Sequence, residues 1–406
     1  MRLYKMELYK LCHKKSFLAG LLFVLLLGLF FFLQDLQGEY CVVNGVEYTG
    51  LEAVRMNRRI TEEFEGVLTD EKVARILDKY GFPQGKPDDY NRLEGNFLNN
   101  FIMEYASDGY NNGWDDYRPA TKAIPLAETG LGKYHDTAGM EIYFGYFAGW
   151  DQFLNMLGTL MLGASMLILY IVSVVFSEEE QTGMKPLLFT TKEGPSSDTL
   201  AKIAAAFSVS FGVWLLSTAF CLLLHAIVYG IDGLDCIAGL ITHWWFFPVP
   251  VLMQSTGIYL AEVLLVSLLG ILELCAITIC ISAHCRSSFH AVVAAGIFYA
   301  LPFLGFALQQ SLRALLMLLS VDRAPHAAFL TLCAWFFYLL SCLIYSSPVY
   351  LLICRDVLIE ISRIRYGSLN DGNGMAAVYT TLGIAIILLL FCMVTAFRRY
   401  RKICRV

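Results

Sequence analysis

The chain has 406 residues, is 57% hydrophobic and only 16% charged, and carries a formal net charge of −5, with a mean hydropathy of +0.57. Soluble domains carry about 25% charged residues, so this composition, together with apolar runs of membrane length, excludes a soluble globular class. The expected fold is an all-α polytopic membrane protein: six transmembrane helices, with a large, mainly helical extracytoplasmic domain between spans one and two. No nucleic-acid partner is expected. The twelve cysteines are scattered, mostly inside apolar runs, without a Cys-x-x-Cys pair, so neither zinc nor redox chemistry is indicated.

Residues 1–15 read as a cytoplasmic interfacial helix. Met1, Tyr4, Leu8, Leu11 and Cys12 recur at helical spacing, while Lys5, Lys10, Lys14 and Lys15 fill the other face. Span one covers 16–33. Its apolar run is longer than a signal-peptide core and lacks a small-x-small cleavage site, so it is expected to stay as an anchor. The basic residues before it place the N-terminus in the cytoplasm.

Residues 34–150 form a polar excursion of domain size, expected to be extracytoplasmic and to fold independently. Thr69 to Leu77 reads as a capped helix stopped by Gly81 and Pro83, with further helices over 51–65 and 91–105. Cys41 is its only cysteine, so no internal disulfide forms, and this thiol is expected to be open to labelling reagents. Asp88, Asp89, Asp108, Asp115 and Asp116 lack the Asp-x-Asp-x-Asp-Gly order of a calcium loop and read as solvated surface.

Span two is 153–176, running inward, and span three is 203–228, running outward. Residues 232–254, with Trp244, Trp245, Pro248 and Pro250, suit an outer interfacial loop. Span four is 258–282; a short turn leads to span five at 291–307. Residues 327–353 are apolar enough to cross a membrane, but Tyr345-Ser346-Ser347-Pro348 breaks them. Were they to cross, the last span, 377–397, would put Arg398, Arg399, Arg401, Lys402 and Arg405 outside, against the positive-inside rule. The stretch 308–376 is therefore expected to be extracytoplasmic or re-entrant, with 398–406 a cytoplasmic tail.

Between spans two and three lies a polar island, 177–202. Helix connections usually run about 2–8 residues, so its length indicates a structured cytoplasmic contact surface. Glu178, Glu179 and Glu180 mark the membrane exit, Gly183 and Pro186 interrupt the descending helix, and Met184, Leu187, Leu188 and Phe189 are apolar. Ser196, Ser197 or Asp198 is suited to cap the returning helix.

Phe176, Glu178 to Glu180, Gly183, Leu187, Leu188, Thr190, Thr191, Lys192, Gly194, Ala201 and Lys202 together resemble the coupling segment of bacterial permeases of the type-2 exporter group of ATP-binding-cassette (ABC) transporters. Glu7-Leu8-Tyr9-Lys10-Leu11 resembles the start of the same permeases, and Ser282 to Ser288 their second cytoplasmic loop. One departure is Pro195, where such permeases usually carry Arg. The resemblance implies a multi-pass subunit of the bacterial plasma membrane with both termini cytoplasmic. It also implies a second permease copy or homologue and a separate ABC ATP-binding subunit holding ATP and magnesium. Coupling would then fall to Glu178, Glu179, Glu180, Gly183, Leu187, Leu188, Phe189, Thr190, Thr191 and Lys192, and the substrate would be a peptide, a lipid or a drug-like molecule leaving the cell.

No phosphate-binding loop occurs: Gly132-Lys133 is followed by Tyr134. The chain is thus expected to be no ATPase itself, to bind no cofactor or metal, and not to be an enzyme. Glu262 and Glu273 lie about three helical turns apart in span four, where a carboxylate costs on the order of 2–4 kcal/mol, and are candidates for the translocation path. His225 and His290, near span ends, read as interfacial or helix-bonded. Two other classes fit parts of the pattern: an integral membrane transferase acting on lipid or cell-wall precursors, and a membrane sensor with an extracytoplasmic ligand-binding domain.

Overall fold

A computed structural model describes residues 2–81, 95–111, 117–118, 120–139, 141–183, 194–241, 250–319, 327–364 and 374–402. Six helices among them are long and apolar enough to cross a membrane: α2 (Lys15–Gly38), α7 (Ala148–Gln181), α8 (Gly194–Val228), α10 (Thr256–His284), α11 (Ser288–Leu319) and α15 (Gly374–Lys402). The chain is therefore a mostly helical, membrane-embedded protein. It divides into two units, one of Met1–Gly28, Leu157–Phe220 and Glu262–Val406, the other of Leu29–Met156 and Cys221–Ala261.

In the first unit the helices approach through small residues and join through isolated polar pairs, as helices do where burial from water supplies no drive. A Cβ at Gly20 would sit 2.7 Å from Leu167 Cδ1, and one at Gly28 would sit 2.5 Å from Leu160 Cδ2. Position rises on α2 as it falls on α7, so the two run antiparallel. The Trp214 indole donates to Ser267 Oγ at 3.0 Å, tying α8 to α10, and Ser165 and Tyr299 share a hydrogen bond of 2.7 Å between α7 and α11. Leu22, Phe23, Ile297, Leu304 and Ile387 stay exposed, an apolar outer surface suited to hydrocarbon.

The stretch beyond α11 forms α12 (Ala327–Tyr345), then α13 (Pro348–Leu351) and α14 (Val357–Ser362). α12 ends at the Ser346-Ser347-Pro348 break. Gln309 donates to Ser341 Oγ at 2.9 Å, and Tyr338 donates to Thr380 Oγ1 at 3.3 Å, holding α12 to α11 and α15. In the irregular link after α13, Leu352 and Cys354 are fully buried, as are Ile359 and Ile361 of α14, while the Ile353 side chain is exposed. A Cβ at Gly158, well inside α7, would sit 2.5 Å from the Ile353 carbonyl oxygen, and one at Gly270, near the middle of α10, would sit 2.9 Å from Leu351 Cβ. Broken backbone beside mid-helix positions is tolerated only where protein encloses it.

The second unit begins with a hairpin, β1 (Tyr40–Val43) and β2 (Val46–Thr49), paired antiparallel in the register Val43 to Val46. Asn44 and Gly45 adopt φ of 53° and 76°, the two left-handed positions of a two-residue turn. Four helices follow: α3 (Gly50–Glu62), α4 (Asp70–Tyr80), α5 (Phe97–Tyr105) and α6 (Gly130–Ala138). The Thr69 hydroxyl accepts from the Lys72 N–H, and Gly81 follows α4, as the sequence indicates. α5 opens on a reciprocal cap between Asn96 and Asn99 and is shorter than expected. Short ladders pair β3 (Gly66–Val67) with β6 (Tyr143–Phe144) and β4 (Tyr110–Asn111) with β5 (Tyr117–Arg118). The core gathers Cys41, Val54, Ile76, Leu98, Ile102 and Phe144.

Two expectations are corrected here. Cys41 is fully buried, and burial pushes its thiol up to about 12, so it is closed to labelling reagents. The second unit is also not confined to 34–150. Arg58 pairs with Asp232 at 2.7 Å, the Trp150 indole donates to the Asp232 carbonyl at 2.7 Å, and Tyr229 donates to Glu39 Oε1 at 3.0 Å. The described part of the 232–254 loop, with α9 (Ala238–Ile241), thereby completes this unit; Trp244, Trp245 and Pro248 lie outside the described residues.

Candidate functional site

The site assembles where α7 ends and α8 begins, within the first unit. α7 stays helical through Gln181, carrying Glu178, Glu179 and Glu180 on its final turn. Gly183 terminates it at φ 68°, a left-handed position suited to glycine after a helix. The expected coupling residues Leu187, Leu188, Phe189, Thr190, Thr191 and Lys192, with Met184, lie outside the described residues.

Glu179 reaches across to α8, where its Oε1 lies 2.9 Å from Lys202 Nζ. Lys202 also pairs with Asp198, one turn earlier on α8, and is only 1% exposed. Two carboxylates around one buried ammonium satisfy it far better than a single partner would, since an unpaired buried charge is costly. α8 starts at Gly194, so Asp198 is inside the helix rather than capping it. Its carboxylate serves Lys202 at the i+4 position.

Other polar contacts fasten the same end. Lys14 pairs with Glu178 at 2.8 Å, and Lys10 pairs with Glu7 at 2.7 Å. Burial works to lower the Lys10 ammonium's pKa, but its bond to Glu7 and the charges of Glu7, Glu179 and Asp198 outweigh that and raise it. The Tyr4 hydroxyl donates to Ser208 Oγ at 2.9 Å, seating α1 (Arg2–Cys12) on α8. Ser282 Oγ of α10 accepts from the Phe176 and Ser177 N–H groups at 3.1 and 3.3 Å. Gln181 Oε1 accepts from the Ser288 N–H at 3.1 Å, satisfying one of the orphan donors at the start of α11.

Of the expected coupling acids, then, Glu178 and Glu179 bind this chain's own lysines. Lys202 belongs to the resemblance motif by position, but its partnership with Glu179 is a tertiary contact with no local signature. Asp198 and Lys202 stand at a helical i, i+4 spacing that could have flagged their half of the cluster.

Glu262 and Glu273 are not brought together. Glu262 is half-buried, whereas Glu273 is fully buried and neither of its carboxylate oxygens has a hydrogen-bond partner. His225 is buried against Trp150, ring centroids 4.1 Å apart, as an aromatic packing element of the second unit. Asp108 accepts from the Thr121 N–H and hydroxyl and the Lys122 N–H, at 2.7–3.0 Å. These bonds hold its carboxyl well below the usual range. Among the described residues no cluster suits a metal ion; Asp88, Asp89, Asp115 and Asp116 lie outside them. No protein-family model, curated protein or solved structure matches the chain.

Proposed function

We propose that the chain is the membrane subunit of an ATP-driven exporter of the type-2 ABC group. It would line a translocation path with a second permease copy or homologue and take its energy from a separate ABC ATP-binding subunit that carries ATP and magnesium. On this reading it lies in the bacterial plasma membrane with both termini cytoplasmic, and 177–202 is the surface that meets the ATPase. The observation that supports the reading is the Glu179–Lys202–Asp198 cluster. It locks the ends of two membrane-length helices that flank a polar island, so a push on the island moves α7 and α8 as one body. Coupling then requires that the island bind the ATP-closed and open states of the partner with different free energies.

The test is Leu188→Asp or Phe189→Asp, with Glu262→Gln as the matched control. The loop variants should insert normally, lose ATP-dependent export and copurify with less ATPase subunit. Glu262→Gln should keep the ATPase bound. Loop variants that retain full association and export would remove 177–202 as the coupling segment and the main support for the family reading.

A further inference from the structure

Among the described residues the buried charged side chains are Glu7, Asp198, Lys202 and Glu273. Three of them are paired: Glu7 with Lys10, and Asp198 with Lys202. Glu273 stands apart. It is 0% exposed, and neither carboxylate oxygen has a hydrogen-bond partner. It lies well inside α10, eleven residues before the helix ends at His284, which is about 17 Å along the axis.

The surroundings offer it no counter-charge. No charged group among the described residues acts on the carboxyl. Leu274, Cys275, Ala276 and Ile277 beside it are buried, and Cys275 turns instead to Ser210 of α8. The charged groups of α7 and α8 gather at the helix ends, where Glu179, Asp198 and Lys202 satisfy one another. The titratable group that faces Glu273 is the Cys392 thiol of α15, which lies within reach of its charge and hydrogen-bonds Cys280, two turns along α10. Glu273 therefore sits toward the seam between α10 and α15. A bare carboxylate buried there would lack both a counter-ion and donors, which this packing cannot sustain. An ionisable side chain placed inside a spanning helix is also a functional site by default.

We propose that Glu273 is a proton-binding site inside the helix bundle, un-ionised in this packing and open to modification by apolar carbodiimides. Release of the proton requires water or a cation to enter at the α10–α15 seam, so protonation and the packing of those helices are linked. The inference does not rest on the transport reading, since a sensor or an exporter could equally carry such a site. The carbodiimide reaction reports the acid form directly. The carboxyl proton passes to one carbodiimide nitrogen as the carboxyl oxygen bonds to the central carbon, and the acyl group then migrates to the neighbouring nitrogen. The product is a stable N-acylurea that retains every atom of both reactants.

The first measurement is infrared spectroscopy of the purified full chain in an uncharged detergent and heavy water near neutrality. The parent spectrum minus that of Glu273→Gln should show the carbonyl stretch of an un-ionised carboxylic acid. Glu273→Met serves as a second reference should the glutamine variant fail to fold. The second measurement needs no variant: dicyclohexylcarbodiimide is added to the parent, and labelled peptides are mapped by mass spectrometry. An ordinary glutamate ionises at about 4.3, so its labelling should slow about a hundredfold between pH 6 and pH 8. Glu273 should be labelled at pH 8 within about threefold of its rate at pH 6, and a water-soluble carbodiimide should leave it unmodified. A carboxylate band in place of the acid band, no labelling at Glu273, or the hundredfold loss of an ordinary carboxyl each overturns the proposal. So does protection by sodium or potassium chloride that choline chloride does not give, which would make the site one for a metal cation.

Discussion

Glu179 on α7 and Lys202 on α8 meet at 2.9 Å across a gap in sequence that spans the whole polar island, with the ammonium 1% exposed. Removing one member of such a cluster takes a close counter-charge from the buried others, which typically costs about 3–5 kcal/mol, while replacing all members by apolar residues is often near neutral. Lys202→Met alone should therefore lower the unfolding temperature of the detergent-solubilised protein sharply. The triple variant Glu179→Leu, Asp198→Leu, Lys202→Met should recover most of the loss. Equal destabilisation by the single and triple changes would mean that the cluster is not a paired unit.

Glycine positions in the first unit offer a matched pair. At Gly158 a methyl group would meet the Ile353 carbonyl oxygen at 2.5 Å, a backbone atom that cannot swing aside, whereas at Gly296 nothing lies within 4 Å. Gly158→Ala should cost about 1–3 kcal/mol. Gly296→Ala should be neutral or gain up to about 1 kcal/mol from helix propensity. Thermal unfolding of the two variants measures the difference, and similar behaviour would show that the Leu351–Ile353 link does not press on α7.

Glu39 gives a pH signature. Its carboxyl is raised mainly by burial, so the folded state holds a proton more tightly than the unfolded chain. Stability from this group is complete below the ordinary carboxylate range and falls as pH rises through the raised value. Glu39→Gln keeps an oxygen for the Tyr229 hydroxyl and removes the titration. The variant should gain unfolding temperature relative to the parent at pH 8 and little or nothing at pH 4. A gain independent of pH would trace to packing instead.

Orientation can be read at the hairpin. Val46 is 51% exposed beside the Asn44-Gly45 turn, whereas Cys41 on the paired strand is fully buried. In whole cells Val46→Cys should react with an impermeant maleimide, and the parent should show no reaction at Cys41. Reaction at Val46→Cys only after the cells are broken would place the second unit on the cytoplasmic side and reverse the proposed topology.

The long helices were legible because a hydrophobic run of membrane length leaves the backbone no alternative to internal hydrogen bonding. Helix stops at Gly81 and Gly183 were legible for a similarly local reason. The β1–β2 hairpin was missed although its signal is present: Val43-Asn44-Gly45-Val46 is a two-residue-turn pattern embedded in β-branched residues. The partition of the second unit was not readable, because Arg58 and Asp232 carry no mutual mark in the sequence and only tertiary structure brings them together. At the candidate site the run Glu178–Glu180 stands out in the sequence as acids at a helix end, but nothing there says that Glu178 meets Lys14 and Glu179 meets Lys202.

The second unit takes its material from two separated stretches of chain, and this has a bearing on biogenesis. The Trp150 indole waits for a carbonyl 82 residues further on, and between them the ribosome must deliver the α7–α8 hairpin to the membrane. At about 5–20 residues per second the interval is roughly 4–16 s. For that time the N-terminal portion stands with Arg58 unmatched and the surface meant for Tyr229 and Asp232 uncovered. Any pause in translation between Trp150 and Asp232 lengthens the time for which that surface stays open.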